Sequence, residues 1–221
     1  MSGIVGSRFN IKGSGLVGSL GTDGQVFTSS GTGTGHVFED AAGGAWNLIS
    51  TFTSDGSDAT ASITSGLDST YDLYALHHIN IEPEDNGSGY SFQGSIDGGS
   101  NYNVSMQTST FRSVHDEAND TVLQYVTSLD QVNGTSFQDF GVSVGDDGDQ
   151  SVSALMYLYT PSSTTFTKFF QSRIIVHNSD NGVFSYYTDG YFNTTSAINA
   201  LQFKFDSGDI TSGKIKLYGI S

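Results

Sequence analysis

The chain contains no cysteine, which excludes a disulfide framework and any thiolate metal site. It is also poor in cations, with 8 Lys and Arg against 23 Asp and Glu among 221 residues. Between Gly13 and Phe111 there is no Lys or Arg at all. A formal charge of -15 repels phosphate backbones and anionic lipid, so nucleic acid and membrane surfaces are excluded as partners. No stretch approaches the ~20 apolar residues of a membrane span. The opening residues, MSGIVGSRFNIKGSG, lack the apolar core of a secretory leader. Charged residues make up only 14% of the chain, so Ser, Thr, Asn and Gly must supply most of the surface. In such a composition the Asn-x-Ser/Thr triplets at Asn86, Asn103, Asn119, Asn133 and Asn193 arise by chance and carry no argument.

Aromatic residues, by contrast, are plentiful: 15 Phe, 11 Tyr and one Trp. Each large ring buries ~150–250 Å², enough to build a sizeable core although the hydrophobic fraction is 36%. Glycine is uneven. Twelve of the 28 glycines precede Ala45, and this shift divides the chain into an extended N-terminal arm, 1–44, and a body, 45–221. The arm holds short apolar pieces separated by glycine turns, none long enough to make a stable sheet alone. The body reads as strand almost throughout. Tyr71, Leu73, Ala75, His77, Ile79 and Ile81 form an apolar stripe at period two, which places His77 in the core and His78 in solvent. Leu201, Phe203 and Phe205 alternate with Gln202 and Lys204; after DSGDITSG, Ile215 and Leu217 alternate with Lys214 and Lys216. These two segments are expected to be neighbouring strands. Further strands are expected at 46–53, 59–64, 90–96, 102–108, 121–127, 137–144, 151–159, 166–177 and 183–187. Only HDEANDTVLQYV (115–126) has spacing that competes for a helix. Short strands joined by Gly, Asn and Asp clusters predict an all-β fold, an antiparallel β-sandwich of jelly-roll type.

The motifs that carry chemistry mostly fail on context. Gly13, Gly15 and Gly18 match G-x-G-x-x-G, but the following SLGTDGQ cannot open the helix whose amides would meet a pyrophosphate. There is no G-x-x-x-x-G-K-[ST] and no G-x-S-x-G elbow. Adjacent strand residues point to opposite faces, so His77 and His78 cannot share one ion. His115 stands beside Asp116, Glu117 and Asp120, read as a solvated loop. EPEDNGSG (82–89), GDDGD (145–149) and DSGD (206–209) are rich in oxygen ligands, yet none has the D-x-[DN]-x-[DN]-G spacing of a calcium loop. No motif calls for a cofactor, a metal ion or a catalytic residue. SYYTDGYF (185–192) is the densest tyrosine stretch, and Tyr186, Tyr187 and Tyr191 are its candidates for exposed recognition of a sugar or a protein.

Several longer segments share one likeness. GTDGQVFTSSGTGTGHVFE (21–39), GGAWNLISTFT (43–53), LDSTYDLYALHHINIEPEDNGSGYSFQGSIDGGSNY (67–102), YLYTPSS (157–163) and SAINALQFKFDSGDITSGKIKLYGIS (196–221) resemble segments of structural proteins of tailed bacteriophages, notably fibre-terminal and decoration-type domains. The resemblance implies a virion protein on the particle exterior with a β-sandwich body, often trimeric, and brings no catalytic residue. With Met1 only seventeen residues before Gly18, it favours a compact protein seated on the shell or tail over a long fibre. The expectation is therefore a non-enzymatic capsid decoration (cement) protein or small surface spike. Its arm would dock on the major capsid protein, a tail protein or a sister subunit through Ile4, Val5, Phe9, Ile11, Leu16, Val17, Val26 and Phe27, with Arg8 and Lys12 meeting an acidic patch. The alternative is a receptor-binding tip that recognises a host surface glycan.

Overall fold

The computed structural model describes residues 25–29, 36–40 and 44–221, and the chain divides into two compact units, 1–44 and 45–221. In the first unit, β1 (Gln25–Ser29) and β2 (His36–Asp40) pair antiparallel, with Phe27 opposite Phe38. Ile4, Val5, Arg8, Phe9, Ile11, Lys12, Leu16 and Val17 lie outside the described residues, as do the side chains of Val26 and Phe27.

The second unit is an antiparallel sandwich. Its strands are β3 (Trp46–Thr53), β4 (Ala61–Ile63), β5 (Leu73–Pro83), β6 (Ser88–Ser95), β7 (Met106–His115), β8 (Thr121–Tyr125), β9 (Val132–Gly134), β10 (Gln138–Val144), β11 (Val152–Tyr159), β12 (Lys168–His177), β13 (Val183–Phe192), β14 (Ala200–Phe205) and β15 (Ile210–Ile220). The wide sheet runs β3-β15-β5-β11-β12-β13-β7-β8, with β9 added alongside β7, and the narrow sheet runs β10-β6-β14-β4. Between the sheets lies an aromatic core. From the narrow sheet come Tyr90, Phe92, Phe140 and Phe203; from the wide one come His78, Phe170 and Phe192, all buried. Phe92 meets Phe170 edge-on at 5.2 Å and His78 meets Phe203 at 4.6 Å, the tilted geometries that ring quadrupoles favour. The polar outer side of β6 is buried too, because Gln93 donates to the carbonyls of Thr135 and Ser136 in the loop that covers it.

Two expectations are corrected. On β5 the core-facing residues are Tyr74, Leu76 and His78, while Leu73, His77 and Ile79 face outward. Both faces of this strand are apolar, so alternation alone could not choose between them. Asn80, at φ 48, then shifts the register and returns Ile81 to the core. Second, β14 and β15 are not neighbours: β14 pairs with β4 and β6, β15 with β3 and β5. The DSGD segment carries the chain from one sheet to the other. The helix-like spacing of 115–126 makes no helix, and the strand expected at 121–127 is present as β8. Asp116 accepts the Asp120 amide and Asn119 takes φ 65, which closes a turn into β8.

The topology sorts charge. The connections β5–β6, β7–β8, β10–β11, β12–β13 and β14–β15 all lie at one end of the sandwich, with Gly87 donating to the Val144 carbonyl and Glu84 to that of Asp209. Together with Asp55 and Asp58, these loops bring more than half of the 23 acidic residues to that end.

Candidate functional site

Alternation along β13 separates the candidate tyrosines. Tyr186 is fully buried, its hydroxyl 3.5 Å from Arg112 Nη1, so the expectation that it is exposed is corrected. Tyr187 and Tyr191 stand half-buried on the outer face of the wide sheet. What surrounds them comes from strands far apart in sequence.

Antiparallel register arranges that outer face in transverse rows. One row runs Phe111–Tyr187–Arg173–Leu155–His77–Lys216 across β7, β13, β12, β11, β5 and β15. Here the rings of Phe111 and Tyr187 stack at 4.7 Å and 6°. Arg173 places Cζ 5.7 Å from the Tyr187 ring centre, a cation–π contact from the neighbouring strand. The next row is polar, Ser109–Asp189–Gln171–Tyr157. A third row pairs Tyr191 with Gln107 and Phe169, and the Phe169 and Tyr191 rings meet at 5.8 Å and 67°. The polar row thus lies between two aromatic ridges. It forms the floor of two adjoining depressions, of about 380 and 480 Å³, that share Asp189. Burial pushes the Asp189 carboxyl above its ordinary range, with a backbone hydrogen bond from Ser172 acting in the opposite sense. Among the described residues lining both depressions Asp189 is the sole carboxylate, so the groove lacks the paired acid and base of a glycosidase.

A second aromatic group occupies the other margin of the same face. Trp46 meets His77 at 5.2 Å, Tyr218 at 5.7 Å and Tyr157 at 6.3 Å. Partial burial, then the charge of Lys216, hold the His77 imidazole below its ordinary range. Beside it Leu48 is 56% exposed. Both Trp46 and Leu48 lie on β3, whose only strand partner among the described residues is β15, which puts β3 at one end of the wide sheet.

The acidic loops use their carboxylates on their own backbone. Asp206 accepts from Ser88 Oγ at 2.6 Å and from the Gly89 amide at 2.9 Å, and Glu84 accepts the Asp209 amide at 3.0 Å. Among the described residues no three His, Asp or Glu side chains converge on a point that would hold a metal ion. His115 is exposed, 3.4 Å from Asn119 Oδ1.

Sequence reading alone missed Phe111, Phe169, Arg173, Gln171 and Asp189. One signal was available. KFFQSRIIVH carries apolar residues at both parities, as a strand must when both its faces are covered or used. Comparison with protein-family models, with curated protein sequences and with solved structures finds no match. The fold therefore defines the chain by architecture alone: an all-β sandwich whose wide sheet carries aromatic side chains on its outer face.

Proposed function

We propose that the chain is a non-enzymatic structural protein of a phage virion exterior, a capsid decoration protein or small surface spike. In this reading residues 1–44 and the adjoining margin of the wide sheet attach it to a shell or tail protein, or to sister subunits. The observation that carries the reading is the edge position of β3 among the described residues, where Trp46 and Leu48 are 41% and 56% exposed. An unpaired strand edge flanked by exposed apolar side chains associates with other chains unless it is covered, and an assembly partner covers it. The resemblance to phage structural segments supports the same reading. Repetition over many sites would turn a weak single contact into stable attachment.

The test is quantitative mass spectrometry of the purified particle, joined to rebinding of the protein to particles stripped of it. Many copies per particle, with rebinding abolished in Leu48→Glu, is the expected result. Absence from the particle, or rebinding by Leu48→Glu at wild-type strength, refutes the assignment. The alternative, a receptor-binding tip, is favoured by one observation, the groove around Asp189.

A further inference from the structure

We propose that the groove between the ridges Phe111–Tyr187 and Phe169–Tyr191, with Asp189, Gln171 and Ser109 on its floor, binds a short neutral oligosaccharide. The inference stands apart from the virion assignment, since the groove lies on β7, β13, β12 and β11 whereas Leu48 lies on β3.

The first argument is chemical complementarity. A pyranose ring presents patches of C–H bonds and, around its rim, hydroxyls. The C–H patches carry slight positive charge and lie well against aromatic rings. The hydroxyls need donors and acceptors fixed in place. The groove supplies both in alternating rows. Phe111 is 41% and Phe169 is 56% exposed, leaving apolar ring surface open on either side. The floor presents a carboxylate, a primary amide and a hydroxyl in one register row. Tyr159 donates to Gln171 Oε1 at 3.4 Å, and the amide NH2 is the donor of that side chain.

Dimensions agree. The floor crosses β7, β13, β12 and β11, which at ~4.8 Å per strand is about 14 Å, suited to a short chain of sugar rings rather than to a single ring. The ridges stand four residues apart on β12 and β13, about 13 Å at ~3.3 Å per residue, which leaves room for a chain between their side chains.

The remaining ligand classes fit less well. A strand-forming peptide needs a free backbone edge, and β12 and β13 are paired on both sides. A nucleic acid or a polyanionic glycan meets Asp189 and a chain of charge -15. A proline-rich peptide would use the aromatic ridges but leave the polar floor unsatisfied, at a cost in affinity. Within the groove Asp189 and Arg173 offset each other, so an uncharged ligand is the natural match.

The test uses the full chain on an array of short neutral oligosaccharides built from hexoses, deoxyhexoses and N-acetylhexosamines. Acidic glycans and a polyproline peptide serve as counter-probes, and hits are followed by isothermal titration. Binding of at least one neutral oligosaccharide is expected. Tyr187→Ala, Phe169→Ala and Asp189→Asn should each weaken it by about tenfold or more, since one stacked ring or one charged acceptor contributes ~1–3 kcal/mol. Each variant should melt within a few degrees of the parent because these side chains lie on the outer face. Leu48→Glu should bind the same sugar as strongly as the parent, which separates this site from the assembly margin. The proposal is overturned if no neutral oligosaccharide binds, if only acidic glycans or the peptide bind, or if the groove variants retain parental affinity.

Discussion

Within the core, His78 Nδ1 lies 3.0 Å from the Tyr90 hydroxyl and joins the wide sheet to the narrow one. The imidazole is buried, 2% exposed. Burial, with a lesser contribution from neighbouring His77, holds it down to about 3 from an ordinary 6.5, so it is neutral at pH 7. The hydrogen bond therefore ties the sheets together without introducing a buried charge.

That relation predicts an acid-sensitive fold. The unfolded chain binds a proton on His78 below pH ~6.5, whereas the native state refuses it until about 3. The stabilisation is complete above pH 6.5 and falls as pH drops through that window, by roughly 5 kcal/mol in all. Urea unfolding at pH 7 and pH 4 should reveal the loss, and His78→Leu should flatten the dependence. An equally steep profile in that variant would locate the sensitivity elsewhere. His77, lowered by partial burial and Lys216, contributes in the same sense, so the comparison with the variant is the decisive one.

Gly94 on β6 predicts a packing defect. A methyl group there would sit 2.6 Å from Phe192 Cε1, a fully buried ring also held against Phe170 at 5.4 Å. Gly94→Ala should cost about 1–3 kcal/mol from overpacking, read as a lower urea midpoint with unchanged slope. A parental midpoint would mean that the ring has space to move.

Asp206 predicts a connected pair of turns. It fastens the start of β6 by accepting from Ser88 Oγ and the Gly89 amide. Asp206→Ala should destabilise by about 1–3 kcal/mol. Hydrogen exchange should quicken at residues 84–89 and 206–210 before it does in β11 or β12. Uniform acceleration across the sandwich would instead signal a global loss of stability.

Leu48 predicts association without refolding. At 56% exposure it contributes little to the fold, so Leu48→Glu should shift the melting temperature by only a degree or two, the small effect usual for exposed positions. Sedimentation velocity should detect weaker self-association than in the parent at equal concentration. A large fall in melting temperature would place Leu48 in the core instead.

Much of the sandwich is legible in the sequence because alternation governs strands with one wet face. Leu201, Phe203 and Phe205 were readable as core residues, and all three are buried. Where both faces are apolar the same rule loses its power, and β5 was assigned to the wrong side. Sheet membership was equally hidden, since the Asp206–Asp209 connector looks like a hairpin but crosses between layers. The groove was the least legible part. Tyr187 and Tyr191 stood out by density, but Phe111, Phe169 and Arg173 acquire their meaning only through the register of β7, β13 and β12. No local pattern encodes that pairing.

The sorting of carboxylates to one end has an electrical consequence. Lys216 and Arg173 stand on the outer face of the wide sheet, within the strands rather than in the acidic loops. The body is therefore a dipole as well as a net anion. Near a negatively charged surface it experiences a torque that turns the carboxylate end away and brings that face forward. The face so presented carries the aromatic ridges. Orientation would precede contact, most strongly at low ionic strength, where the field reaches beyond ~10 Å.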